Sequence, residues 1–160
     1  MDIQKIGQRR LKRPQEGDIF VYSFDGNEYY FGRVIKTDVI GGGFPGAILI
    51  YAYNIKARSI DIIPSLDKNN LIIPPITINR MPWTRGYFLN IGNMKLSKND
   101  SFDKHIFKAG GFDLQIEGGI DEYGNFLDNV EPNCGYGGLN SYLSFSEKVS
   151  MALDAKSITT

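Results

Sequence analysis

Apolar and aromatic residues occur along this chain in short runs separated by turn-forming residues, a strand pattern far more than a helical one. Asp18-Ile19-Phe20-Val21-Tyr22 and Tyr29-Tyr30-Phe31-Gly32-Arg33-Val34-Ile35 flank Asp25-Gly26-Asn27. Asp-Gly readily adopts the positive φ angles of a tight turn, so the two runs predict an antiparallel hairpin. After Gly41-Gly42-Gly43, the run from Ala47 to Asn54 is apolar and aromatic throughout, which predicts a strand. Ser59 to Ile63 and Leu71 to Ile73 predict further strands. Pro74-Pro75 ends the second of these or places it at a sheet edge, because proline donates nothing to a ladder. Phe112, Leu114 and Ile116 alternate with Asp113, Gln115 and Glu117, the pattern of a half-buried strand, and Asp121 to Asn125 predicts the turn that follows.

One helix is expected, at the C-terminal end. Phe145, Val149, Ala152 and Leu153 form an apolar stripe, and Ser144 with Glu147 has the spacing of a capping box, placing the helix at about residues 145–155. These elements predict an α+β fold, mainly an antiparallel curved sheet or partial barrel with a C-terminal helix packed on it. The expected core includes Phe20, Phe31, Ile48, Ile50, Trp83, Phe88, Leu114 and Ile116.

The length, 160 residues, and a hydrophobic content of 42% suit a single folded domain spanning 1–160, with residues 1–15 as a basic lead-in and 156–160 as a tail. No apolar run approaches the roughly 20 residues of a membrane-spanning helix, so no membrane partner is expected. The first residues carry charges without the apolar stretch of a secretory signal, which predicts a cytoplasmic protein. One cysteine, Cys134, allows no internal disulfide, and with a single histidine, His105, it leaves little for a metal site; no cofactor is expected.

Equal numbers of basic and acidic residues, 18 of each, conceal a segregation. Residues 1–13 hold five basic residues and one acidic; residues 109–149 hold seven acidic residues and one lysine. The carboxylate-rich stretch is poor material for a phosphate backbone, which needs Lys and Arg, and suits a basic partner.

Candidate chemistry is sparse. Cys134 and His105 supply the residue types of a cysteine nucleophile and its base, a scheme that requires them side by side. The adjacent carboxylates Asp121 and Glu122 point different ways on a strand or turn and would need a distant partner for glycosidase-like work. Gly41-Gly42-Gly43-Phe44-Pro45-Gly46 lacks the Gly-Lys-Ser/Thr ending of a phosphate-binding loop. No enzyme is expected. The basic stretch Arg9-Arg10-Leu11-Lys12-Arg13, with the aromatics of the first hairpin, offers an alternative reading as a small nucleic-acid-binding β-barrel module.

Several separated motifs occur in order: Glu16-Gly17-Asp18-Ile19-Phe20 with Phe31-Gly32-Arg33-Val34; Ile73-Pro74-Pro75; Asn79 through Phe88, containing Trp83, Arg85 and Tyr87; Asp121-Glu122-Tyr123-Gly124-Asn125; and Gly138-Leu139-Asn140-Ser141-Tyr142. Together they resemble the immunity protein 26 family of bacterial polymorphic toxin systems, over about residues 16–153. The resemblance implies an α+β fold and a non-catalytic cytoplasmic protein that binds and neutralises a cognate toxin. It supplies no catalytic residues, and for Gly32, Pro75, Trp83, Arg85, Tyr87 and Gly124 it implies structural roles.

Toxins that act on nucleic acids carry basic clefts, and carboxylates presented to such a cleft raise association rate and selectivity. The expected partner is therefore a protein toxin with a basic active-site surface, and nucleic acid is not the expected ligand. The candidate partner-binding residues are Glu117, Asp121, Glu122, Asp128 and Glu131, with Tyr123 and Tyr136 as aromatic anchors.

Overall fold

The computed structural model of the chain describes residues 1–110 and 118–159, with side chains of the last helix described as far as Lys156. The strands are β1 (Asp18–Tyr22), β2 (Tyr29–Gly41), β3 (Phe44–Ala57), β4 (Leu71–Ile78), β5 (Leu89–Asn93), β6 (Ile106–Lys108), β7 (Gly119–Asp121), β8 (Phe126–Leu127) and β9 (Leu139–Asn140). The helices are α1 (Met81–Thr84) and α2 (Tyr142–Thr159). Six strands form one open sheet in the order β5-β1-β2-β3-β4-β9, antiparallel except for the β4–β9 pair; β6, β7 and β8 form a second, antiparallel sheet. The architecture is α+β with a C-terminal helix, and the large sheet does not close into a barrel.

Both faces of the large sheet are covered, which explains why its central strands read as unbroken apolar runs. Side chains alternate across a strand. Phe20, Tyr22, Ile48, Ile50, Ile76 and Ile78 point to one face and meet Trp83, Phe88, Phe145 and Val149. Leu49, Tyr51 and Tyr53 point to the other and meet Phe107 and Cys134, while Ile19, Val21 and Phe31 pack there beneath Ile60, Ile63 and Leu66. Opposite Phe20 in the β1–β2 register stands Gly32, where an added Cβ would lie 2.3 Å from the Phe20 ring. The missing side chain is what lets that ring lie across β2 and stack on Phe88 at 4.3 Å.

The predicted core residues Phe20, Phe31, Ile48, Ile50, Trp83 and Phe88 are all buried. Leu114 and Ile116, with the strand predicted around them, lie outside the described residues. The run 59–63 forms no strand; its apolar side chains Ile60 and Ile63 cover the sheet from a loop instead. β4 passes through Pro74 and Pro75 without ending, because both fall where its pairing with β3 shifts register between Ile73 and Ile76. Among the described residues, β4 pairs on its other side through Thr77 and Ile78, with β9.

Helix α2 starts three residues before the expected position. Ser141 and Ser144 exchange side-chain-to-backbone hydrogen bonds, Ser144 N to Ser141 Oγ at 3.3 Å and Ser141 N to Ser144 Oγ at 2.9 Å. This is a capping box with serine in place of Glu/Gln at its third position, and Glu147 plays no part in it. The predicted stripe packs as expected: Phe145 and Val149 are buried and Ala152 and Leu153 rest on the same cluster. Burying each of the first two contributes roughly 1.5 to 3 kcal/mol. No helix among the described residues is long and apolar enough to cross a membrane.

Residues 1–13 form an ordered strap. Ile3 is buried, its N–H donates to Ser146 Oγ, and Gln4 N donates to Ser23 O. Ile6 N and Gly7 N both donate to Gly86 O, and Arg10 N to Thr84 O, so the basic stretch is laid along α1.

Candidate functional site

The acidic stretch divides into an inward-facing part and an exposed part. Asp121 closes the β7–β8 turn: its Oδ1 accepts the backbone N–H groups of Tyr123 (2.9 Å) and Asn125 (2.8 Å). The turn lifts Tyr123 into solvent, 66% exposed, with Phe126 on β8 at 52%. Val130 and Tyr136 are also exposed, as are Asp128 and Glu131 on either side of Val130 in the segment after β8. Lys108 Nζ lies over the Tyr136 ring, 5.6 Å from its centroid. The candidates Tyr123, Asp128, Glu131 and Tyr136 are thus all exposed, as are two apolar residues of the same stretch of chain, Phe126 and Val130, that are not among the sequence candidates. Their signal was present in Phe126-Leu127-Asp128-Asn129-Val130, apolar residues inside a carboxylate-rich turn region. Glu117 lies outside the described residues.

Glu122 does not reach that surface. It is only 4% exposed, and its carboxylate turns inward to Lys36 of β2, with Nζ 2.9 Å from Oε1 and 2.8 Å from Oε2. The reason is the strand period: Asp121 and Glu122 are neighbours across the β7 end, so when one side chain closes the turn the other faces the large sheet. As a contact residue, Glu122 is corrected to an internal anchor.

Behind this ion pair lies a buried polar cluster. Tyr51 Oη stands 2.6 Å from His105 Nε2 and accepts the Phe102 N–H at 3.0 Å. Which partner of the Tyr51–His105 pair donates is set by the imidazole tautomer. Nδ1 points toward Glu122 Oε1 at 4.0 Å, too far for a hydrogen bond. Burial pushes the His105 pKa down to about 4, against the opposing pull of the Glu122 charge. Cys134 is buried, its Sγ–H donates to Asn133 Oδ1 at 3.3 Å, and burial raises its pKa to about 12. The two residues of the cysteine–histidine scheme thus hold the protonation states opposite to a thiolate–imidazolium pair. Among the described residues, no three His, Cys, Asp or Glu side chains cluster in a way that could hold a metal ion.

Three aromatics of the first hairpin, Phe20, Tyr22 and Phe31, are turned into the core, and Phe24, Tyr29 and Tyr30 are half-buried. Tyr30 stacks on Tyr22 at 5.8 Å. The basic strap lines a surface cleft of about 650 Å³ together with α1 and the residues after it. Lys5, Arg9, Arg85, Tyr87 and Tyr142 are among its walls. Of the motif residues expected to be structural, Trp83 is buried and its Nε1–H donates to Asn90 Oδ1 at 2.9 Å, whereas Arg85 is exposed on that cleft and Tyr87 forms part of its wall. Sequence flagged the Arg9–Arg13 run and Arg85 separately; that they meet is tertiary information.

The fold is thus α+β, and its exposed features among the described residues include acidic and aromatic side chains after β7 and a basic cleft beside α1. A sequence model of the family described as Immunity protein 26 matches residues 15–115, and the chain belongs to that family. Its function is accordingly an immunity function, with a toxin as the implied partner and a non-enzymatic role suggested. No curated protein and no solved structure matches the chain.

Proposed function

We propose that this protein neutralises a cognate bacterial toxin of a polymorphic toxin system by direct, non-catalytic contact in the cytoplasm, using the edge formed by the β7–β8 turn and the segment after it. The observation that carries the choice of surface is Tyr123, two-thirds exposed on a turn that Asp121 holds in shape. An aromatic ring exposed on a rigid turn loses little conformational entropy on binding and supplies a large contact area. Phe126, Val130 and Tyr136 extend the apolar area, and Asp128 and Glu131 give the patch a negative rim. Such a rim accelerates encounter with a basic surface and rejects acidic ones.

The test is co-expression with the toxin encoded beside the gene, followed by affinity measurement on the purified pair. Tyr123→Ala weakens binding by at least tenfold, and Asp128→Lys with Glu131→Lys slows association and inverts its salt dependence. If both variants protect cells and bind as the parent does, the contact surface lies elsewhere; if the parent itself does not bind, direct neutralisation is wrong.

A further inference from the structure

The cleft beside α1 gathers positive charge without a visible internal reason. Lys5, Arg9 and Arg85 line it, with Met81, Thr84, Tyr87 and Tyr142, and no carboxylate stands among those walls. Among the described residues, none of the three cations forms an ion pair; the ion pairs involve Arg13, Arg33, Lys36, Lys56 and His105. One acidic residue outside those walls, Asp2, acts electrostatically on Tyr87. Gathering like charges costs folding free energy unless a counter-charge arrives.

The cations are also held in place. Tyr87 and Tyr142 stack with centroids 4.1 Å apart and planes inclined by 12°, joining the segment after α1 to the start of α2. Lys5 Nζ sits 5.8 Å from the Tyr87 centroid and the Arg85 guanidinium 6.0 Å from that of Tyr142. Each ring of the pair therefore carries one cation at cation–π distance. Arg9 follows on the strap, whose backbone is fixed to Gly86 and Thr84. With the two rings stacked on each other, the cleft offers charge and hydrogen-bond donors more than a stacking platform.

We propose that this cleft is a binding site for a phosphate-bearing ligand, held by Lys5, Arg9 and Arg85. A phosphate monoester carries about −1.5 to −2 charges and three acceptor oxygens, and so can take donors from more than one of the cations that line the cleft. Guanidinium forks engage such oxygens two at a time. A cleft of about 650 Å³ is within the size range of small-ligand sites, roughly 300 to 1,000 Å³. The proposal stands apart from the toxin contact, which uses other residues.

The experiment is a titration of the full chain at low salt with inorganic phosphate, ATP, a short oligouridylate and polyglutamate, repeated with Arg85→Gln and Lys5→Gln. Both side chains are exposed, so the variants keep the parent's circular dichroism and melting temperature, and two independent variants guard against a folding defect in one. The expected result is binding of phosphate-bearing probes that each variant weakens about tenfold, with weaker salt dependence. ATP or phosphate binding as tightly as the oligonucleotide assigns a free phosphate ligand. A much tighter, steeply salt-dependent oligonucleotide assigns a nucleic-acid backbone. Absence of binding by every phosphate probe, equal binding by both variants, or polyglutamate matching the phosphates would overturn the proposal. Toxin protection, measured in parallel, is unchanged by both substitutions.

Discussion

Lys36 on β2 and Glu122 at the end of β7 form an ion pair that ties the large sheet to the small one, Nζ lying within 2.9 Å of both carboxylate oxygens. The backbone reinforces it, since Ile40 N donates to Glu122 O. Lys36 is partly exposed and Glu122 is not, so the two ends are unequal: removing the lysine strands a carboxylate in the interior, facing His105. Lys36→Met is expected to cost about 2 to 3 kcal/mol in urea unfolding. The double change Lys36→Met with Glu122→Gln, which removes both charges, recovers most of that loss. A double variant no more stable than the single one would show that packing, not the stranded charge, sets the cost.

The position of His105 gives a pH dependence with a definite sign. Its pKa falls from the ordinary 6.5 to about 4 because burial disfavours the cation. The folded protein holds it neutral while the unfolded chain protonates it below about pH 6.5. Its contribution is therefore fully present above pH 6.5, is lost as pH falls toward 4, and amounts to about 3 kcal/mol at most. Carboxylates titrate in part of this window, so the comparison is with His105→Gln. The melting temperature of the parent drops more steeply between pH 6.5 and 4.5 than that of the variant; parallel curves would show that His105 titrates normally.

Trp83 is fully buried, packs edge-on against Phe20 (5.2 Å) and Phe88 (4.9 Å), and donates to Asn90, whose Nδ2 in turn donates to Asp18 Oδ2 at 2.9 Å. Trp83→Ala is expected to destabilise by about 3 to 5 kcal/mol, and Trp83→Phe by less, since the ring contacts survive while the Asn90 acceptor is stranded. As the only tryptophan, it also reports directly. Native emission is blue-shifted and moves red on unfolding; an emission maximum already red in the native state would place the ring at the surface.

Asp121 offers a way to separate turn geometry from charge at the proposed toxin-binding edge. Its carboxylate caps two backbone N–H groups, a task an amide oxygen also performs. Asp121→Asn is expected to retain most of the toxin affinity, and Asp121→Ala to lose it by releasing Tyr123. Equal losses in both variants would mean that the charge itself is the contact.

What sequence could and could not convey follows from the range of the interactions. Asp25-Gly26 marks its own turn, with Asp25 Oδ1 accepting the N–H groups of Asn27 and Glu28, and the Phe145–Val149 stripe marks its own buried face. Those signals are local. The period-two pattern cannot say that Ile60 and Ile63 cover a sheet from a loop, since apolar residues in a covering loop and in a strand look alike. Nor does an acidic run say which carboxylate turns inward: Glu122 meets Lys36 across 86 residues of chain. The acidic edge was legible as a charge bias, whereas the basic cleft depends on a strap and a short helix meeting in space.

That meeting rests on Gly86. Its φ is +82°, a conformation costly for residues with a side chain, and a Cβ there would lie 2.3 Å from the carbonyl oxygen of Gly7. Gly86 O also accepts the N–H groups of Ile6 and Gly7, so the close approach is what fastens the strap. Gly86→Ala combines positive-φ strain with a backbone clash that no side-chain rotation relieves, and is expected to cost about 2 to 3 kcal/mol. Because Ile3 is anchored separately, at Ser146, the strap is expected to detach locally between Lys5 and Arg10 before the sheet unfolds. Amide exchange is the measurement: the Ile6, Gly7 and Arg10 amides lose protection in Gly86→Ala while the β3 amides keep theirs. Uniform loss across the sheet would mean instead that the strap and the sheet unfold as one unit.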